Sequence, residues 1–339
     1  MKIRYIDLFS GVGGFRYSFE QSCKKAKIES QCVGFSEIDK YSKITYKSNF
    51  ELEESELDLG DITKIKPSKL PSFDFLFAGF PCQPFSLMGK KKGFADTRGT
   101  MFFYIEKIIK EKKPKFFLLE NVRGLFTHDS GRTYTEIIKI LEKKLKYHTK
   151  SWVLDSKEYG VPQTRRRLYI LGFLDPEIKS KVSKPKEVNN PKNPTTWHVL
   201  EKEVDDRYYL SKKILKTILS NGSGKFKSKS EINKIIARPL TATMHKMHRA
   251  CQDNYFSDSF IGGKFDDSKK RIIPSKKGVN RIRRITPKEA FKLQGYPDYF
   301  VSNAKKNGVS NTQLYRQAGN SITINVVESI FNEVIKNIN

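Results

Sequence analysis

"IRYIDLFSGVGGF" (residues 3–15) decides how the chain begins to fold. Residues 3–9 are mostly β-branched, aromatic or leucine and read as a short buried strand. "SGVGG" then supplies glycines, which let the backbone turn sharply and let a ligand approach it. A helical pattern follows to about Ala26. A strand, a glycine turn and a helix in that order open an α/β unit and make a generic cradle for a nucleotide. The dinucleotide fingerprint G-x-G-x-x-G is incomplete, because Arg16 stands where the last glycine belongs. A tight structural turn would look the same.

The pattern repeats outward from there. "QCVGFSE" (31–37), "FDFLFAGF" (73–80), "KFFLLEN" (115–121) and "RRLYILGF" (166–173) read as further strands. "RGTMFFYIEKIIKE" and "GRTYTEIIKILEKKL" read as helices between them. Strands alternating with helices predict a doubly wound, Rossmann-like α/β sheet. In such sheets ligands bind beyond the carboxyl ends of the strands. Glu37, Cys82 and Glu120 fall there, so residues far apart in sequence converge on one crevice.

The alternation stops after Phe173. "DPEIKSKVSKPKEVNNPKNP" (175–194) is rich in proline, lysine and asparagine and reads as a linker. "NGSGKFKSKS" (221–230) reads as a flexible basic loop. Regularity returns at "RITPKEAFKLQGYP", where Thr286, Pro287 and Glu289 spell an N-cap, a first helical residue and a capping box. Gly295 and Pro297 stop that helix. "NSITINVVESIFNEVI" (320–335) reads as a final amphipathic helix.

Composition narrows the class of function. The 339 residues hold 64 Lys and Arg against 37 Asp and Glu, a formal net charge of +27. That excess points to a polyanionic partner, with nucleic acid foremost. The four cysteines form no C-x-x-C pair, which suits a reducing cytoplasm. No apolar run nears the roughly 20 residues of a membrane span, and the N-terminal residues lack a signal-peptide pattern.

Several groups carry chemistry. Cys82 sits in "GFPCQPFS" (79–86) between Pro81 and Pro84, which both fix φ. A packing cysteine needs no such collar; a nucleophile must be held still and presented. Glu120, in "ENV" at a strand end, is the matching acid for a heterocycle ring nitrogen. Glu37 can accept from ribose hydroxyls, and Asp61 in "GDIT" from an exocyclic amine. In "YGVPQTRRRLYILG" (159–172) strand alternation sends Arg165 and Arg167 to one face, where two guanidinia can bind a phosphate or a base carbonyl. His245, His248 and Cys251, at i, i+3 and i+6, would line one face of a helix. They lack a fourth ligand of suitable spacing, so no metal is expected and DNA contacts by "HKMHR" are preferred.

Taken together these blocks resemble the bacterial-type DNA (cytosine-5) methyltransferase family. "DLFSGVGGF", "GFPCQPFS", "FLLENVRG", "YGVPQTRRRLYILG" and "RQAGNSITINVV" match its motifs in its order, over residues 1–173 and 281–335. The resemblance implies a large catalytic and cofactor-binding domain (1–185), a smaller target-recognition domain (186–280), a hinge segment (281–303) and a C-terminal return to the large domain (304–339). It implies S-adenosylmethionine as cofactor, held by Phe9, Gly11, Glu37, Ile38, Asp61, Ile62, Pro81, Met101 and Asn320. Cys82 would be the nucleophile and Glu120 the acid. Asn121 would support the Glu120 loop, and Arg165 and Arg167 would hold the flipped base and the cysteine loop. DNA contacts would fall to Gln83, Ser86, Arg238, Thr243, His245, Lys246, His248 and Arg249. Thr243 belongs to Thr243–Met244, the nearest counterpart of the family's Thr-Leu pair.

The implied reaction adds the Cys82 thiolate to cytosine C6, lets Glu120 donate at the ring nitrogen, and transfers the sulfonium methyl to C5 of a base flipped out of double-stranded DNA. The enzyme would be a cytoplasmic, nucleoid-associated bacterial monomer, with a cognate restriction endonuclease acting separately. A tRNA cytosine-5 methyltransferase and a non-catalytic DNA-binding module remain as alternatives. A dinucleotide oxidoreductase is weaker, because of the incomplete glycine pattern.

Overall fold

The structure is a computed structural model that describes residues 2–81, 101–223, 225–276 and 280–338. The chain divides into two compact units. One comprises Met1–Leu154, Arg166–Lys186 and Val326–Asn339; the other comprises Asp155–Arg165 and Glu187–Asn325.

The first unit is built on a seven-stranded sheet. Its strands are β1 (Lys2–Leu8), β2 (Glu29–Ser36), β3 (Leu57–Asp58), β4 (Phe75–Gly79), β5 (Phe116–Val122), β6 (His148–Asp155) and β7 (Arg166–Phe173), in the order β3-β2-β1-β4-β5-β7-β6. The pairs β2/β3, β1/β2, β1/β4 and β4/β5 are parallel, and β7 runs antiparallel to β5. The helices are α1 (Gly14–Lys25), α2 (Lys40–Lys47), α3 (Met101–Lys112), the short α4 (Gly124–Thr127), α5 (Arg132–Lys139) and α6 (Pro176–Lys181).

Both faces of the sheet are covered, and the strand period explains how. Phe75 and Phe77 of β4 point one way, into a cluster of rings with Tyr5, Phe19 and Phe331. Leu76 and Ala78 point the other way and pack with Phe102, Ile105, Ile108 and Ile109 of α3. Phe331 belongs to the last helix, α12 (Ile324–Lys336), which also meets α1 through Glu328 and Lys25.

Departures from the sequence reading have local causes. Residues 175–194 are not wholly a linker: Asp175 caps α6 by accepting from Glu177 N, with Pro176 as first helical residue. The expected helix over 131–145 ends as α5 at Lys139 and continues as a π turn over Ile140–Lys144. β3 and β6 were not anticipated.

The second unit carries α7 (Lys212–Ile218), the hairpins β8 (Gly222–Ser223)–β9 (Phe226–Lys227) and β11 (Lys264–Asp266)–β12 (Arg271–Ile273), and the antiparallel pair β10 (Tyr255–Ser257)–β13 (Ile282–Arg284). Helices α8 (Asp258–Ile261), α9 (Pro287–Lys292), α10 (Tyr299–Lys306) and α11 (Asn311–Asn320) complete it. The capping box at Thr286 and Glu289 is formed as expected. Glu289 also pairs with the fully buried Arg283, Oε1 to Nη2 at 2.6 Å, tying α9 to β13. The expected helix over 320–335 starts later: Ser321 is extended, and α12 begins at Ile324. α11 precedes it and was not read from the sequence.

Candidate active site

The glycine turn after β1 is held from β2. Phe9 and Gly11 both take positive φ, 55° each, which bends the chain back on itself. Glu37 fixes that bend. Its Oε2 accepts from Gly11 N at 2.9 Å, while Oε1 accepts from Ile38 N at 2.8 Å and Asp39 N at 2.7 Å. A carboxylate has about four acceptor positions, so three are already used by the backbone. Ser36 adds a second tie, donating from its hydroxyl to Gly60 O at 2.7 Å. This sets the loop bearing Asp61 beside the end of β2.

Asp61 caps a 3-10 turn. Its Oδ1 accepts from Thr63 N and from Thr63 Oγ1, at 2.9 and 2.8 Å, and these bonds hold its carboxyl below the usual range. Ile62 is buried in the apolar cluster under the sheet, with Phe9 and Met101 packed against it. Ile38, two residues beyond β2, is 76% exposed, an unusual state for an isoleucine. Six of the nine anticipated cofactor residues thus lie in one loop cluster: Phe9, Gly11, Glu37, Ile38, Asp61 and Ile62. Met101 adjoins that cluster through the core. Pro81 is exposed at the end of the segment leaving β4. Asn320 is exposed and ends α11, in the second unit.

Cys82, Gln83 and Ser86 lie outside the described residues. Their approach is well defined. Gly79 pairs with Glu120 in the β4/β5 register, and Asn121 Nδ2 donates to Phe80 O at 3.0 Å. Asn121 Oδ1 accepts from Val122 N. A single amide side chain therefore fixes both the end of β5 and the peptide that enters the cysteine loop. Glu120 is 9% exposed, and Arg167 approaches it from β7, Nε to Oε1 at 3.1 Å. Asn121, opposite Leu168, and Val122, opposite Arg167, continue the antiparallel β5/β7 ladder there.

Arg165 departs from expectation. The ladder begins at Arg166, so strand alternation does not govern Arg165. It is 3% exposed and donates to three carbonyls, Leu240 O, Gly319 O and Ser321 O, at 3.1, 3.1 and 2.7 Å. Among the described residues, then, Arg167 faces a carboxylate and Arg165 binds backbone carbonyls.

The basic stretch of the second unit is irregular. Met244–Lys246 makes one 3-10 turn and Met247 takes φ 54°, so His245, His248 and Cys251 do not share a helix face. Among the described residues no group of three or more His, Cys, Asp or Glu is placed to hold a metal. Thr243 and Lys246 are exposed, and His245 and Arg249 are half-buried. His248 Nε2 reaches Thr243 Oγ1 at 3.3 Å. Arg238 is engaged inside the unit, with its guanidinium on Glu231 O and Oε2. Sequence reasoning passed over Gln163 and Gln294, which are fully buried and join several segments. Neither stands in a hydrophobic period that would mark it as interior.

The family profile described as C-5 cytosine-specific DNA methylase matches residues 3–336. The chain belongs to that family. It is 38% identical over 335 residues to the Type II methyltransferase M1.ScrFI of Lactococcus lactis subsp. cremoris, covering 99% of this chain and 78% of that one. It is 38% identical to M.HaeII of Haemophilus aegyptius, over 98% and 93% of the two chains. The fold matches the solved Entamoeba histolytica methyltransferase EhMeth, with a TM-score of 0.76, 22% identity, and coverage of 100% and 99%. The doubly wound α/β expectation is met.

The protein is therefore a DNA (cytosine-5) methyltransferase using S-adenosylmethionine, and the tRNA-directed and non-catalytic alternatives fall away. The glycine turn suits that cofactor. The space where a side chain would stand at Gly11 is open to 4 Å, Ile38 offers an uncovered apolar face beside it, and no lysine-bearing phosphate loop is present in the sequence. Among the described residues no helix is long and apolar enough to cross a membrane.

Proposed function

We propose that Cys82 and Glu120 carry the methylation chemistry on a cytosine flipped out of duplex DNA. Cys82 adds to C6 as the thiolate, and Glu120 donates at the ring nitrogen, where negative charge would otherwise build. The ring becomes enamine-like and C5 nucleophilic. S-adenosylmethionine supplies the electrophilic methyl group. Loss of the C5 proton then expels Cys82. The observation that carries this reading is the β5 end: Glu120 is held by Arg167, while its neighbour Asn121 anchors Phe80, two residues before Cys82. Asn121 and Arg167 are then positioning residues.

The same reading assigns the cofactor residues. Ile38 covers the adenine, Asp61 accepts its amine through Oδ2, Glu37 sets the turn and faces the ribose, and Phe9, Gly11, Ile62, Pro81, Met101 and Asn320 line the rest. Residues 186–280 read the target, with Thr243, His245, Lys246, His248 and Arg249 as candidate contacts. Gln83 and Ser86 accompany Cys82 at the base. Unstacking a base costs a few kcal/mol, which phosphate contacts from a chain of charge +27 help to offset. The Type II relatives support a role in a restriction-modification system. To that role we add, as part of the same reading, a separate endonuclease, a monomeric state and a cytoplasmic, nucleoid-associated location.

Bisulfite sequencing of DNA from cells expressing the protein identifies the target. A duplex carrying 5-fluorocytosine there should trap the wild type covalently, because fluorine cannot leave as a proton does. Cys82→Ala should form no adduct and methylate nothing, yet still bind DNA. Methylation by that variant, or no adduct with the wild type, overturns the mechanism.

A further inference from the structure

A buried polar network in the second unit joins four separate stretches of chain. Gln163, fully buried, donates from Nε2 to Leu293 O at 2.7 Å and accepts at Oε1 from Leu240 N at 2.9 Å. Its Nε2 also lies 3.2 Å from Gln294 Oε1. Gln294, equally buried, donates to Ala318 O at 2.9 Å and accepts from Thr323 Oγ1 at 2.8 Å. Arg165 closes the circuit by binding Leu240 O together with Gly319 O and Ser321 O. Backbone bonds from Ala237 N to Pro162 O and from Thr164 N to Ala237 O zip the first two stretches together.

The placement of these bonds is informative. Gly319 O and Ser321 O flank Asn320, whose own side chain is exposed. Leu240 directly precedes the exposed Thr241–Thr243 loop. Gly319 also lies against that loop so closely that a Cβ there would stand 2.2 Å from Thr241 C. One guanidinium and two amides thus hold the Asn320 peptide and the Thr241–Thr243 loop as a single block. A hydrogen-bonded network of this kind ties its members together, so the two exposed ends move as one body, and two ligands that favour the same placement of that body favour each other.

We propose that Gln163, Arg165 and Gln294 are positioning residues that couple seating of DNA on the Thr241–Thr243 loop to binding of the cofactor at Asn320. The inference rests on the assignment of Thr243 to DNA and Asn320 to the cofactor. Coupling between two ligands is reciprocal, so each should tighten the other by the same factor.

The test measures the affinity of the full chain for a duplex bearing its mapped target, with and without saturating S-adenosylhomocysteine. The ratio of the two dissociation constants is the coupling factor. It should be at least about fivefold in the wild type, within the usual range for linked sites. Gln163→Leu and Gln294→Leu should bring it to within twofold of one. Thr323→Val, which deletes one hydroxyl bond and keeps the shape, should lower it part-way and guards against loss of folding in the other two. A wild-type factor near one, or an unchanged factor in Thr323→Val and in whichever glutamine variant stays folded, overturns the proposal. Thr243→Ala with unchanged DNA affinity, or Asn320→Ala with unchanged S-adenosylhomocysteine affinity, overturns instead the assignments on which it rests.

Discussion

Replacing Gly319 by alanine should disturb the second unit despite adding only a methyl group. The site is near the end of α11, where alanine is intrinsically the better helix former by about 1 kcal/mol. Packing opposes that gain. The new Cβ would stand 2.2 Å from Thr241 C, 2.3 Å from Ala242 N and 2.3 Å from Thr241 O. Ordinary carbon contacts begin near 3.5 Å, so the gap is short by more than 1 Å. All three neighbours are backbone atoms and cannot rotate away. Either α11 or the Thr241–Thr243 loop must move, which costs about 1–3 kcal/mol and occasionally more. With a clash this deep the cost falls toward the upper end of that range, so the net expectation is a loss of up to about 2 kcal/mol, or several degrees in Tm for a domain of this size. Because the loop is a proposed DNA contact, duplex affinity should fall beside Tm. Thermal unfolding and a fluorescence anisotropy titration measure the two. A variant as stable as the wild type, with unchanged DNA affinity, would refute the packing argument.

Other perturbations separate chemistry from binding. Glu120→Gln keeps size but cannot deliver a proton, so single-turnover methylation should fall about 10²–10⁴-fold while S-adenosylhomocysteine binds normally; equal loss of both would make Glu120 merely structural. Glu37→Ala leaves Gly11 N, Ile38 N and Asp39 N without their shared acceptor, so cofactor affinity should drop about 10–100-fold; an unchanged cofactor titration would contradict this. Asp7 is fully buried in β1, and burial raises its carboxyl well above the usual range despite the nearby Arg16. Its folded-state pKa lies above the unfolded value, so the wild type should lose stability relative to Asp7→Asn as pH rises from about 4. Urea midpoints at pH 4.5 and 7.5 should diverge in that sense, and parallel pH profiles would count against it.

How much of this was legible varied with how directly sequence reports burial. β4 and β5 were readable because parallel strands covered on both faces are nearly unbroken apolar runs, here "FLFAG" and "FFLLENV". β3 is two exposed residues at a sheet edge, and β6 is largely half-buried, so neither has a pattern to find. α6 did have a signal: Asp175 followed by Pro176 is an N-cap and first helical residue, masked by the lysines and prolines downstream. α11 has Asn, Gln and Gly among its ten residues, a weak helical composition, and depends on the Ser310 cap and on burial of Leu314, Tyr315 and Ala318.

The two arginines show why the site was only partly readable. Period-two alternation is a property of a strand inside its ladder, and it places Arg167 correctly against Glu120 across β5/β7. Arg165 stands one residue outside that ladder, where the backbone follows its own hydrogen bonds: its N–H goes to Asp155 Oδ1 and its side chain to three distant carbonyls. Those carbonyls also account for the break before α12. Gly319 O and Ser321 O turn toward the guanidinium, and Thr323 turns its hydroxyl toward Gln294, so the chain over 321–323 gives up helical geometry for buried polar partners. A helical period in the sequence cannot show this, because the competing partners lie more than 20 residues away in every case. The motif letters "QTRRR" and "QAGNSIT" mark both ends of the network, but only the fold shows that they bind each other.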